Sequence, residues 1–159
     1  MAAPVGLFGN VQWEAKEQTL MPAKDRYHDV VVRALRKDGW TILKEQVELI
    51  VPPRRLWIDL RAAREAQAPI ILVEVKGFEE VGSPVAYLSD AIGQCVVYKG
   101  ALDYLGVADV LYLAVPTEAM TGILGEELGR RAVQQAQIGV IVVDPIQEVI
   151  VRWIDSSTR

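Results

Sequence analysis

The sequence predicts an α/β domain in which a mixed β-sheet is flanked by helices. Three observations lead there. Short runs rich in β-branched and aromatic residues, LWIDL at Leu56–Leu60, IILVEVKGF at Ile70–Phe78 and LYLAV at Leu111–Val115, read as strands. Stretches with apolar residues at helical spacing separate them. Two more strand-like runs near the end flank Asp144-Pro145-Ile146-Gln147, the signature of a tight hairpin.

Size and composition agree with that class. At 159 residues the chain fits one domain with a substantial core. Its 51% hydrophobic and 24% charged residues exclude a disordered chain. The single cysteine, Cys95, lies in an apolar run and reads as a small core residue of a reducing, cytoplasmic location. No apolar run reaches the length of a membrane span, and the start lacks the basic and apolar regions of a signal peptide. The net charge of −4 argues against general coating of nucleic acid. Phosphate contacts would therefore fall to local basic clusters, Arg33 with Arg36 and Lys37, Arg54 with Arg55, and Arg61 with Arg64, or to a partner protein.

The elements follow in order. Residues 1–20 lack periodicity and are expected to form an N-terminal extension before a single domain at 21–159. Pro22 and Asp25 suit a first helical turn, and His28, Val31, Val32 and Leu35 form one apolar stripe. Lys37 suits the last turn, and Gly39 ends the helix. Trp40–Leu43 starts a strand that Gln46–Val51 continues. Pro52-Pro53-Arg54-Arg55 is a turn into LWIDL, because proline is excluded from central strands. Arg61–Gln67 reads as a helical turn or loop before the IILVEVK strand. Ser83-Pro84 opens a helix as N-cap and first residue, with Val85, Leu88, Ile92 and Val96 on one side. Thr117 begins a last helix reaching about Gln135, despite Gly122, Gly125 and Gly129. Gly139–Val143 and Glu148–Trp153 form the hairpin.

The chemistry concentrates on the two central strands. Side chains alternate along a strand, so Glu74 and Lys76 share one face of IILVEVK, and Trp57 and Asp59 one face of LWIDL. If these strands pair, Asp59 lies beside Glu74 with Lys76 in reach. Two close carboxylates favour a divalent cation between them, Mg²⁺ or Mn²⁺. A lysine beside it can hold a water or offset charge on a phosphate, which is the chemistry of phosphodiester hydrolysis. Glu-x-Lys also describes a solvated strand face with a surface ion pair. His28 likewise fits a packed, hydrogen-bonded core histidine. Gln94 and Tyr98 stand one helical turn apart, which also fits an ordinary rim residue and packing aromatic.

The set taken in chain order, His28, Asp59, Glu74-Val75-Lys76, Gln94 and Tyr98, resembles the PD-(D/E)XK nuclease superfamily, with the histidine and Gln-x-x-x-Tyr of its RecB-like and Cas4-like branches. KDRYHDVVVRALRKDGWTI, LWIDL, VEVKGF, DAIGQCVVY, LYLAVP and VVDPIQEVIVRWI resemble the XisH family from Met21 to Asp155. These are controlling factors for excision of the fdxN element in cyanobacteria. The resemblance implies a restriction-endonuclease-like fold. It assigns the metal to Asp59, Glu74, His28 and the Val75 carbonyl, and the attacking water or transition state to Lys76. Gln94 and Tyr98 would orient Lys76 or the DNA backbone. It also implies DNA, a XisI-like protein and a site-specific recombinase as partners, and a homodimer is in keeping with it. Ile58 stands where the superfamily has its proline. Function stays divided between a metal-dependent DNA endonuclease, a catalytically inactive nuclease-fold regulator, and a nuclease toxin restrained by its partner.

Overall fold

The computed structural model describes residues 26–78 and 82–156. The N-terminal extension and the helix start at Pro22 lie outside them. The architecture is the one the sequence predicts: a mixed six-stranded sheet flanked by helices. Its strands are β1 (Thr41–Val51), β2 (Arg54–Ala63), β3 (Ile71–Val75), β4 (Val110–Pro116), β5 (Gly139–Asp144) and β6 (Val149–Ile154), side by side in chain order. β1, β2 and β3 form an antiparallel meander; β3, β4 and β5 run parallel; β6 returns antiparallel. The helices are α1 (His28–Lys37), α2 (Pro84–Leu105), α3 (Thr117–Thr121) and α4 (Glu127–Ala136), with a 3₁₀ turn at Ile123–Gly125.

The central parallel strands are apolar on both faces because helices cover both. Ile71, Val73, Val75, Ala114 and Ile141 face α1, whose Val31, Val32, Ala34 and Leu35 are buried. Leu72, Leu113, Val140 and Val142 face the opposite way, into a cluster with Leu88, Cys95, Tyr98 and Leu102 of α2. α1 ends as expected: Gly39 takes φ +90°, and the Trp40 N–H returns to the Leu35 carbonyl at 3.0 Å. α2 begins on Ser83, whose Oγ accepts from the Ala86 N–H at 3.4 Å. Cys95 is fully buried, and burial pushes its thiol up to about 12. Among the described residues no helix is long and apolar enough to cross a membrane.

Several expectations need correction. Arg54 and Arg55 belong to β2 rather than to a turn, and Arg61–Ala63 belong to it rather than to a helical turn or loop. Pairing with β1 extends through Ala62 and Ala63, so the strand overrides the helix propensity of its alanine-rich end. The buried face of α2 is Leu88, Ala91, Cys95, Tyr98, Ala101 and Leu102, whereas Val85 and Val96 are about half exposed. Apolar residues lie all round this helix, so spacing alone does not select its inward side. The expected single helix from Thr117 to Gln135 is three pieces. Gly122 breaks it at φ −101°, ψ −137°. A Cβ on Gly125 would sit 1.9 Å from the Met120 carbonyl oxygen, and one on Gly129 2.0 Å from that of Ile123. Close backbone approach, which only glycine permits, folds the segment back on itself.

Candidate active site

The site forms where the β2–β3 ladder stops. Leu60 pairs with Val73, Arg61 with Leu72 and Ala62 with Ile71; the same register sets Asp59 opposite Glu74. Instead of a further backbone bridge, the Asp59 side chain enters the ladder: its Oδ2 accepts the Val75 N–H at 2.8 Å. Glu74 points to the α2 side, 5% exposed, and hydrogen-bonds Asp59. Burial, and then the Asp59 charge, push its carboxyl up to about 9, against a smaller opposing pull from Lys76. Its Oε2 is buried with no hydrogen-bond partner.

Lys76 lies one residue beyond β3, and its N–H still bonds the Ala114 carbonyl on β4 at 2.9 Å. Its side chain is 18% exposed, with Nζ 3.7 Å from Asp90 Oδ2 at the start of α2. Tyr98 ties α2 to β2: its hydroxyl donates to the Trp57 carbonyl at 2.6 Å and accepts from Gln94 Nε2 at 2.7 Å. Burial, with the Glu74 charge second, raises the affinity of that phenol for its proton. The Gln94 Oε1 is a second buried acceptor with no donor. Gln94 and Tyr98 thus turn to each other and to Trp57, while Lys76 turns to Asp90.

His28, at the start of α1, is 1% exposed. Its Nδ1 lies 3.8 Å from Asp59 Oδ1, and its Nε2 lies 2.6 Å from Glu45 Oε1 on β1. Gln46, at φ +52°, donates to Asp59 Oδ1 at 3.4 Å. Asp59 is therefore the hub of the group, touching β1, β3 and α1. Among the described residues, the trio whose ligand atoms all lie within 4.8 Å of one another is His28, Asp29 and Glu45, not His28, Asp59 and Glu74.

The arginines fall into two places. Arg54 and Arg55 sit exposed at the β1–β2 hairpin tip, where Arg55 Nη1 is 3.1 Å from Glu48 Oε1. Arg61 and Arg64 lie toward the other end of β2. Arg61 Nε donates to Asp109 Oδ2 at 2.7 Å, and Arg64 reaches Asp38 at 3.5 Å and covers the Trp40 ring.

Sequence reasoning missed Glu45, Gln46 and Asp90. For the first two a signal existed. The hairpin closes at Val51 and Arg54, and counting back from that pair sets Gln46 against Asp59 and Glu45 against Leu60. Asp90 carries no such signal, since it depends on where α2 crosses the sheet.

Residues 21–151 match the family model described as XisH protein. Two crystal structures resemble the chain at TM-score 0.75 and 35% identity. One is an XisH family protein from Nostoc punctiforme PCC 73102, with 82% of this chain and 100% of that one covered. The other is an fdxN element excision controlling factor protein from Anabaena variabilis, with 83% and 100% covered. No curated protein matches the sequence. By the length of the family match and by its likeness to these structures, the chain belongs to the XisH family.

Proposed function

We propose that this chain takes part in excision of a DNA element, and that it does so as a divalent-metal-dependent endonuclease with a PD-(D/E)XK core. The observation that carries the reading is the meeting of Asp59 and Glu74 at the end of the β2–β3 ladder, with Lys76 two residues on. His28 from the preceding helix and Gln94 with Tyr98 from the following one surround that point, in the order that the superfamily has. The Anabaena variabilis relative supports the excision role by its description.

The residues fit a small hard cation. Two carboxyl groups share one spot, burial and then the Asp59 charge hold the Glu74 proton to about 9 against a smaller pull from Lys76, and Glu74 Oε2 is a buried oxygen with no donor. Asp59 and Glu74 would hold Mg²⁺ or Mn²⁺, joined by His28 Nδ1 and the Val75 carbonyl. Such an ion would polarise a phosphoryl oxygen and make a bound water easier to deprotonate. Lys76, at 18% exposure and one residue beyond β3, would hold that water or offset the charge growing on the phosphate. Tyr98 and Gln94 fix β2 at Trp57 and so hold Asp59 in place. Arg54 and Arg55, exposed at the hairpin tip, are the arginines best placed to meet a phosphate backbone.

A second reading has its own support. Val96, Val97 and Tyr104 expose 50%, 56% and 67% of their surface along α2, and Arg55, Arg61 and Arg64 already face carboxylates. That suits a nuclease-fold regulator that binds a XisI-like protein, a recombinase or a second copy through α2. Nicking of supercoiled DNA with Mn²⁺ separates the two. The endonuclease reading expects nicking by the wild type, at least 100-fold slower nicking by Asp59→Asn (about 3 kcal/mol of barrier), and weaker Mn²⁺ binding by that variant. Equal nicking by both proteins would move the chemistry away from Asp59.

A further inference from the structure

His28 stands between two carboxylates, but at unequal distances. Its Nε2 is 2.6 Å from Glu45 Oε1, and its Nδ1 is 3.8 Å from Asp59 Oδ1. A ring nitrogen that close to a carboxylate oxygen carries the proton, because two lone pairs at that separation repel. The longer distance is beyond hydrogen-bond reach, so Asp59 does not compete for it. In a neutral imidazole, a proton on Nε2 leaves the lone pair on Nδ1.

We infer that Glu45 is a positioning residue: it fixes His28 as the Nε2–H tautomer and so leaves a bare Nδ1 on the side of Asp59. This rests on the metal-site reading for its purpose, though not for its geometry. Histidines that bind metals through one nitrogen commonly donate the other N–H to a carboxylate, which sets both tautomer and ring orientation. Glu45 suits that task structurally. Pairing with Leu60 holds its backbone in β1, and its side chain, 41% exposed, reaches inward over the buried ring. Asp29 also comes near this pair, within the same 4.8 Å grouping, so its removal is the control for the Glu45 assignment.

The chain has one histidine, so ¹⁵N spectra of the imidazole are unambiguous. The measurement is made on full-length, metal-free protein at neutral pH, as wild type, Glu45→Ala, Glu45→Gln and Asp29→Asn. The expected result is a proton on Nε2 and a bare Nδ1 in the wild type. Glu45→Ala should give mixed tautomers. Glu45→Gln, which keeps an acceptor oxygen, and Asp29→Asn should keep the wild-type pattern. A proton on Nδ1, or on both nitrogens, in the wild type would overturn the inference, as would an unchanged pattern in Glu45→Ala. Titrating the same samples with Mg²⁺ distinguishes this failure from failure of the metal-site reading. Glu45→Ala should bind about 10- to 100-fold more weakly than wild type. Equal binding by a variant with mixed tautomers would overturn the positioning role. A wild type with the expected tautomer that binds no cation would leave the Glu45 assignment standing and remove the metal site.

Discussion

Glu74 sits among apolar side chains with a second carboxylate beside it, and both effects favour its protonated form, up to about pH 9. The folded chain then keeps a proton that the unfolded chain releases near the ordinary carboxylate value of 4.5, so metal-free stability falls as pH rises between those limits. Glu74→Gln keeps the shape and the neutral state but cannot ionise. Its melting temperature should exceed the wild type's at pH 8 and change less from pH 5 to pH 9; calorimetry showing equal pH slopes would contradict the burial argument. Tyr98→Phe makes a different point. It strands the Trp57 carbonyl and the Gln94 amide in a buried position, and urea denaturation should show a loss of about 1–3 kcal/mol. The meeting of Asp59 with Glu74 was legible because alternation and pairing are local rules. The carboxylate on the far side of His28 needs the β1–β2 register as well, and a turn read as Pro52–Arg55 instead of Pro52-Pro53 hides the count that leads to Glu45.

Most elements were visible in the chain, and the failures share a physical origin. Alternating or β-branched runs marked β3, β4, β5 and β6, and caps marked the end of α1 and the start of α2. Where residues pack on all sides, as in α2, the pattern carries no direction. Where glycines allow backbone to touch backbone, propensity gives no hint of the fold. The segment from α3 to α4 tests this. Gly129→Ala drives a Cβ to 2.0 Å from the Ile123 carbonyl oxygen, and it should destabilise by about 1–3 kcal/mol. Gly93→Ala, exposed in the middle of α2 with nothing within 4 Å of the new atom, should instead stabilise by about 0.5–1 kcal/mol. Denaturation curves with the same sign for both would mean that the break at Gly122–Gly129 is not held by close packing.

The sheet with α1 on one face and α2 on the other explains why so few residues can form a site. β3 is buried on both faces, so its C-terminal end is where polar groups from the two sides converge: His28 from α1, Gln94 and Tyr98 from α2, and Asp59 from β2. Lys76 continues that strand's path along β4, paired with Asp90 rather than with the carboxylates it accompanies. If this convergence cuts phosphodiester bonds, its lysine is the group whose loss should stop the reaction while sparing the fold, because a partly exposed residue beyond the strand end packs little of the core. The most direct trial is cleavage of supercoiled and branched DNA with Mg²⁺ or Mn²⁺ by wild type and Lys76→Ala, each with and without a XisI-like protein. Metal-dependent cutting by the wild type, lost in a Lys76→Ala variant that melts normally and still binds the cation, is the result expected here. Cutting that survives in Lys76→Ala, or no cutting by the wild type with either metal and either partner state, would contradict an endonuclease centred on Asp59, Glu74 and Lys76.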